Sequence, residues 1–122
     1  MSDTLAREET DRLIASDRVE GTDVYNPKSE KLGSVQNFMV NKRTGQAEYA
    51  VMEFGGLFGI GSDHYPIPWN MLKYDEKQEG YVVNLDKSQI EGAPTYRPKG
   101  TAFDQAYGEK IYGHFGMAYP YF

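Results

Sequence analysis

The stretch that decides the fold of this chain is Gln46-Ala47-Glu48-Tyr49-Ala50-Val51-Met52-Glu53-Phe54. Its side chains alternate with the period of two that is typical of a β-strand. Tyr49 and Val51 fall on one face of this strand, whereas Ala50 and Met52 fall on the other. Because both faces carry apolar residues, we predict a central strand that is covered on both sides.

Other short strands and turns surround this segment. Strand patterns occupy residues 19–25, 32–41, 65–69 and 81–85, and the tetrad Lys42-Arg43-Thr44-Gly45 predicts a hairpin connection. The prolines of residues 65–69 limit that strand to an edge or to a short piece. The strands are therefore short and closely spaced along the chain.

Two short helical segments are predicted between and after the strands. Residues 69–72 predict a single helical turn at the corner of a barrel, and Asp86 is placed to cap a short helix over residues 87–90. Five or six short strands with no long amphipathic helix between them predict a mainly all-β fold. The expected architecture is a small antiparallel β-barrel or sandwich with one or two short helices.

The apolar residues are distributed unevenly along the 122 residues. Leu, Ile, Val and Phe number 1 in residues 1–12, 19 in residues 13–92 and 4 in residues 93–122, where eight aromatic residues stand instead. We therefore predict one folded domain over residues 13–92. Residues 1–12 are expected to form a frayed or disordered extension, and residues 93–122 an aromatic C-terminal extension.

Charge and composition disfavour several classes of protein. The formal net charge of −5, with no cluster of Lys and Arg, disfavours nucleic acid as a direct partner. The chain has no Cys, which excludes disulfides and thiolate metal sites. No apolar run approaches the roughly 18–20 residues of a membrane span, and residues 1–9 hold no apolar stretch typical of a signal peptide. We therefore expect a cytoplasmic protein.

Four spaced motifs resemble a known family. They are Gly21-Thr22-Asp23-Val24-Tyr25-Asn26, Glu30-Lys31-Leu32-Gly33-Ser34-Val35, Gly56-Leu57-Phe58-Gly59-Ile60-Gly61 and Pro68-Trp69-Asn70-Met71-Leu72. These motifs are similar to those of the PRC-barrel domain, over about residues 13–92. The resemblance implies a small β-barrel that serves as a docking module, with no general catalytic residues to carry over. The chain looks like a stand-alone bacterial form of this domain, which also occurs in a photosynthetic reaction centre subunit and in a ribosome maturation factor.

Two motifs invite a chemical interpretation. The glycine-rich order Gly56-x-x-Gly59-x-Gly61 lacks the Lys and the following helix of a phosphate-binding loop. Ser62-Asp63-His64 contains the residue types of a hydrolase triad, but three consecutive residues cannot form its geometry. The two histidines, His64 and His114, have no partner at metal-ligand spacing. We therefore expect no catalytic residue, metal site or cofactor.

The glycine-rich loop also contains three apolar residues, Leu57, Phe58 and Ile60. Apolar side chains in such a loop either fold over the open end of a barrel or contact a partner. Both alternatives stay open at this point. These residues are candidates for a contact with another protein.

The C-terminal extension carries an apolar stripe. Its members, spaced mostly by four residues, are Phe103, Tyr107, Ile111, Tyr112 and Phe115. This spacing predicts a helix from about residue 101 to 113, which Gly108 and Gly113 each weaken by about 1 kcal/mol relative to Ala. A helix of this length does not stand alone and must pack on something, either the chain's own barrel or a second subunit. The third alternative is a disordered, aromatic-rich tail.

Three functions are consistent with these patterns, and we prefer the first. It is a non-enzymatic docking or scaffold module that binds an unknown protein and associates with itself, as a homodimer or higher homo-oligomer, through the sheet edges, the loop and the aromatic tail. The second is a small-ligand-binding protein or enzyme with a pocket at the barrel mouth near His64, Tyr65 and Trp69. The third, suggested by the resemblance, is an adaptor in ribosome or RNA maturation that acts through a protein partner. Trp69 is expected in the core under the first hypothesis, because its large apolar area stabilises most when buried.

Overall fold

The structure is a computed structural model that describes residues 13–54, 64–96 and 102–120. The described helices are α1 (Ser16–Val19), a single 3₁₀ turn (Trp69–Met71), α2 (Lys87–Glu91) and α3 (Gln105–His114). The described strands are β1 (Asp23–Tyr25), β2 (Lys31–Val40), β3 (Ala47–Glu53), β4 (His64–Pro68), β5 (Lys73–Asp75) and β6 (Gly80–Val82). The predicted fold class, mainly β with short helices and a C-terminal helix, is confirmed. The division into domains at residues 12 and 92 stays a prediction.

The six strands form one mixed sheet in the order β4-β3-β2-β1-β6-β5. Four of its five pairings are antiparallel, whereas β1 and β6 pair in parallel, with Val24 opposite Tyr81. The prediction of an all-antiparallel barrel is therefore wrong at this one pair. Its cause lies at the 3₁₀ turn.

The 3₁₀ turn makes a corner between β4 and β5 but does not reverse the direction of the strands. Three antiparallel pairings separate β4 from β1, while one parallel and one antiparallel pairing separate β5 from β1, so β4 and β5 run in the same direction. The next reversal, from β5 to β6, then leaves β6 parallel to β1. The predicted helical turn at a barrel corner is confirmed over Trp69–Met71.

The same corner requires the sheet to curl. Outer strands of a flat six-stranded sheet lie about 24 Å apart. The chain from Pro68, the end of β4, to Lys73, the start of β5, spans at most about 18 Å. The two edge strands are thus drawn toward each other, although within the described residues they do not pair.

The interior of the curled sheet is filled by one cluster, here called the barrel core. Its buried members are Val19, Val24, Leu32, Val35, Ala50, Met52, Phe54, Tyr65, Ile67, Leu72, Tyr81, Val83, Leu85, Ile90 and Ala93. Trp69 packs against this cluster, with its ring 5.7 Å from those of Phe38 and Tyr81. Trp69 is half-buried, so it lies at the margin of the barrel core and the expectation of a core residue is confirmed only in part.

Strand β3 is covered on both faces, as its alternation predicted. Ala50 and Met52 point into the barrel core, whereas Tyr49 and Val51 are buried on the opposite face. Residues from outside the barrel must therefore cover the outer face of β3. They come from the C-terminal segment described below.

Of the other local predictions, the hairpin and the helix cap are confirmed, whereas two strands are shorter than predicted. The connection after β2 is a hairpin, in which the Asn41 amide donates to Gln46 O at 2.8 Å. Asp86 caps α2 with a complete capping box, because its side chain accepts from the Gln89 amide and Gln89 reaches back to the amide of Asp86. The strand predicted over residues 19–25 is shorter, since α1 extends to Val19. The strand predicted over 81–85 also ends early, at Val82.

Candidate docking surface

The C-terminal helix α3 begins four residues later than predicted. Asp104 takes an extended conformation, and its side chain accepts a hydrogen bond from the Tyr107 amide at 2.9 Å. This is an N-cap, which satisfies one of the free amides of the first turn. Phe103 therefore lies just outside the helix, although its ring is 5.2 Å from that of Tyr107.

The helix ends in a Schellman motif. Gly116 has a φ of 71°, a conformation that costs glycine nothing. Its amide donates to Gly113 O at 3.1 Å, and the Met117 amide donates to Tyr112 O at 2.9 Å. After this turn, Met117 and Tyr119 pack in the same cluster as Ile111 and Tyr112 of the helix.

The segment packs on the outer face of β3 through aromatic rings. The ring of Tyr49 lies 5.2 Å from Phe103 and 6.0 Å from Tyr112, which in turn lies 5.5 Å from Tyr119. We call this cluster the tail layer. It consists of the buried residues Tyr49, Ile111 and Tyr112 and the half-buried residues Met39, Phe103, Tyr107, Phe115, Met117 and Tyr119.

Gly108 is the point of closest approach between α3 and the sheet. A Cβ atom at this position would lie 2.7 Å from Tyr49 Oη and would overlap the ring of Tyr119. Such contacts are far inside van der Waals distance, so any side chain here would have to displace the Tyr49 and Tyr119 side chains. At Gly113, in the same helix, a Cβ atom would meet nothing within 4 Å.

The polar contacts that join the segment to the chain before it include two hydrogen bonds. Tyr107 Oη donates to Thr95 O at 2.8 Å, and the ring Nε2 of His114 donates to Gln89 O at 2.7 Å. The second contact joins the end of α3 to α2. Both hold the segment at its edges, while the rings fill its centre.

Packing in the tail layer raises the pKa of its tyrosines. Burial raises the pKa of Tyr107 to about 12, and Tyr96 adds to this effect. Burial also raises the pKa of Tyr49, with smaller contributions from Tyr119 and Tyr112. The phenolate forms are disfavoured because the rings are removed from water. The cluster is therefore neutral at ordinary pH.

The predicted contact residues fall into two groups in the structure. Ile111 and Tyr112 are buried inside the chain, with 0% and 3% of their surface exposed, whereas Phe103, Tyr107 and Phe115 are half-buried. The loop residues Leu57, Phe58 and Ile60 lie outside the described residues. The structure adds Met39, Tyr49, Met117 and Tyr119, which the sequence patterns did not assign to this surface. The two-sided apolar pattern of β3 was the signal that could have found Tyr49.

The barrel-mouth pocket near His64, Tyr65 and Trp69 stays a prediction, since residues 55–63 beside it lie outside the described residues. The Tyr65 ring packs 5.1 Å from Phe54, and the backbone of His64 bridges to Tyr96. Two open cavities occur elsewhere, and neither is lined by His64, Tyr65 or Trp69. One, of about 470 Å³, lies between residues 92–95 and α3. The other, of about 700 Å³, lies beside β5.

Within residues 13–54, 64–96 and 102–120, no three His, Asp or Glu side chains are grouped so that they could hold a metal ion. None of the helices in these ranges has the length and apolar character needed to cross a membrane.

Comparison with known proteins identifies the barrel. No curated protein matches the sequence. The model of the PRC-barrel domain matches residues 11–90, which include all six strands and α1 and end within α2. The tail layer, except for Met39 and Tyr49, is built from residues beyond that match. Because the match covers well over half of its length, the chain belongs to the PRC-barrel domain family.

Proposed function

We propose that this protein is a docking module that performs no chemistry of its own and associates with itself through the tail layer. The PRC-barrel domain is a protein-interaction module, which supports docking as the general function. The observation that carries the finer proposal is the composition and exposure of the tail layer. Six of its apolar side chains are half-buried on one side of the molecule.

The chemistry of these six side chains favours contact with protein. Four are aromatic and two are Met, the residue types that are enriched at protein interfaces. Half-exposed rings of this kind gain further burial when a partner covers them. A homodimer is the simplest closed assembly, because a twofold axis pairs one surface with itself. An unknown protein partner and a cytoplasmic location stay predictions.

Self-association is tested by light scattering over a concentration series. We expect the wild-type protein to form dimers in the micromolar range. The Met117→Glu variant places a charge in the tail layer and is expected to weaken the dimer by about tenfold or more, equivalent to about 1.4 kcal/mol. Ala118→Glu is the matched control, because the neighbouring Ala118 is exposed and the charge change is the same.

The outcomes separate cleanly. Loss of the dimer in Met117→Glu, with Ala118→Glu unchanged, supports association through the tail layer. A wild-type protein that stays monomeric up to millimolar concentration overturns the self-association. Equal dimers in all three proteins would show that another surface is used.

A further inference from the structure

We infer that the cleft between residues 92–95 and α3 binds a small organic anion, one that carries a carboxylate or a phosphate group on an apolar body. The volume of the cleft, about 470 Å³, lies within the range of known small-molecule sites. All of its lining residues lie between positions 92 and 114, whereas the matched PRC-barrel region ends at residue 90. The cleft is therefore built outside the matched barrel, by the segment that follows it.

Hydrogen bonds hold the two walls of the cleft together. Tyr107 Oη donates to Thr95 O at 2.8 Å, and the ring Nε2 of His114 donates to Gln89 O at 2.7 Å. Tyr107, Lys110 and His114 are spaced by three and four residues, so they lie along one side of α3. The cleft is thus formed before a ligand arrives, which lowers the cost of binding.

The charge of the cleft favours an anion. Its lining includes the side chains of Lys110 and His114 and no Asp or Glu among the described residues. The cavity beside β5 differs, because two Lys, one Asp and one Glu line it and their charges balance. A cleft with only basic charged groups, in a chain of net charge −5, attracts anions locally and rejects cations.

The cleft also offers hydrogen-bonding groups that no described residue uses. The Lys110 ammonium forms no ion pair or hydrogen bond with any described residue, and the Thr95 hydroxyl donates to none. Because Nε2 of His114 donates to Gln89 O, Nδ1 is the ring nitrogen left for a ligand, and protonation there makes the ring a cation. These groups match the acceptor oxygens of a carboxylate or a phosphate.

The rest of the lining is suited to an apolar body. Ala93 and Pro94 lie on one wall, and the ring of Tyr107 lies on the other. A bare inorganic ion would leave these surfaces uncovered, whereas an attached ring or alkyl group would bury them. The ligand that fits both parts of the cleft is an organic anion.

The inference is tested by NMR titration of the ¹⁵N-labelled full chain with benzoate, which joins a carboxylate to a ring. We expect saturable shifts of the amides of Ala93, Thr95 and α3, with a Kd of about 10 mM or tighter. Benzamide has nearly the same shape without the charge and is expected to bind about tenfold more weakly. Phenyl phosphate presents the second anionic group, and the tighter of the two anions identifies the ligand class.

Variants at Lys110 connect binding to the charge of the cleft. Lys110→Gln is expected to weaken benzoate binding by about threefold or more, whereas Lys110→Arg keeps the charge and is expected to bind within about twofold of the wild type. Lys42→Gln is the matched control, because Lys42 is exposed in the hairpin after β2 and the charge change is the same. Lys110 is exposed as well, so these changes leave the fold intact.

Loss of affinity in Lys110→Gln, with Lys110→Arg and Lys42→Gln close to the wild type, supports the anion site. The absence of saturable shifts at the cleft with both benzoate and phenyl phosphate overturns it. Equal binding of benzoate and benzamide also overturns it, since the cleft would then select a ring and not a charge. So does equal weakening by Lys110→Gln and Lys42→Gln, which would mean a general effect of net charge. Each of these results holds whether or not the protein associates with itself.

Discussion

The barrel core and the tail layer bury their side chains in different ways. Fifteen residues of the barrel core are buried, and only three of them are aromatic. The tail layer has three buried members and six half-buried ones, and six of the nine are aromatic. The two clusters lie on opposite faces of β3. Met52 belongs to the barrel core, and Tyr49 belongs to the tail layer.

This difference indicates a division of roles. Tightly packed aliphatic side chains stabilise one folded state, because every methylene removed leaves a cavity. Large aromatic rings that are only half covered have the character of a protein interface. This difference supports the proposal that the barrel core chiefly stabilises the fold and that the tail layer serves association.

The largest expected effect comes from Ile67→Ala in the barrel core, compared with Ile111→Ala in the tail layer. Both isoleucines are fully buried, so the chemical change is matched. Ile67→Ala is expected to lower the free energy of unfolding by about 3 kcal/mol. Ile111→Ala is expected to loosen the tail layer and to lower the stability of the barrel by less than about 1 kcal/mol.

Fluorescence of Trp69 measures this difference during urea unfolding, because the only Trp of the chain packs on the barrel core. Equal losses in both variants would contradict the division of roles, since they would mean that the two clusters unfold as one unit.

A smaller effect separates two glycines of the same helix. Gly108→Ala adds a methyl group against Tyr49 Oη and Tyr119, which is expected to weaken docking of the segment by about 1–3 kcal/mol. Gly113→Ala adds the same group in open space and is expected to stabilise the helix by about 0.5–1 kcal/mol. Limited proteolysis at the C-terminal segment measures both changes. Faster cleavage in both variants, or in neither, would rule out a specific close approach at Gly108.

The smallest effect is confined to alkaline solution. The folded-state pKa of Tyr107 lies above the ordinary value, which means that folding favours the neutral phenol. The contribution of Tyr107 to the stability of the docked segment is therefore complete below a pH of about 10, the pKa of tyrosine in the unfolded chain. As the pH rises through about 12, where docked Tyr107 ionises, this contribution is lost. We expect the segment to detach in this range before the barrel unfolds. Tyrosinate absorbance and Trp69 fluorescence follow the two events, and a single joint transition would contradict the prediction.

Patterns local in sequence predicted most of the barrel. The hairpin at residues 42–45, the corner at Trp69–Met71 and the cap at Asp86 depend on turn and capping preferences of a few neighbouring residues. The two-sided cover of β3 followed from its alternation. The parallel pairing of β1 with β6 did not, because strand direction depends on whether the chain turns back or continues at each corner, and periodicity does not carry that information.

Of the two surfaces that pack together in the tail layer, the sequence predicted the stripe of the C-terminal segment but not the outer face of β3. The stripe from Phe103 to Phe115 indicates which residues of the segment are apolar, but not which face receives them. Gly108 shows the limit most clearly. Helix propensity treats it as a weakness, whereas in the structure the absence of a side chain here leaves room for the Tyr49 and Tyr119 side chains. Such a requirement exists only once two distant segments are packed together.

Native-state hydrogen exchange on the full chain tests the central claim most directly, at a concentration where the protein is monomeric. If the tail layer is a separable contact on a self-sufficient barrel, amides of α3 exchange through a local opening and those of β2 and β3 only through global unfolding. We predict exchange in α3 that is at least about tenfold faster, and insensitive to low urea concentrations. Equal protection of α3 and β3, with the same urea dependence, would contradict the account.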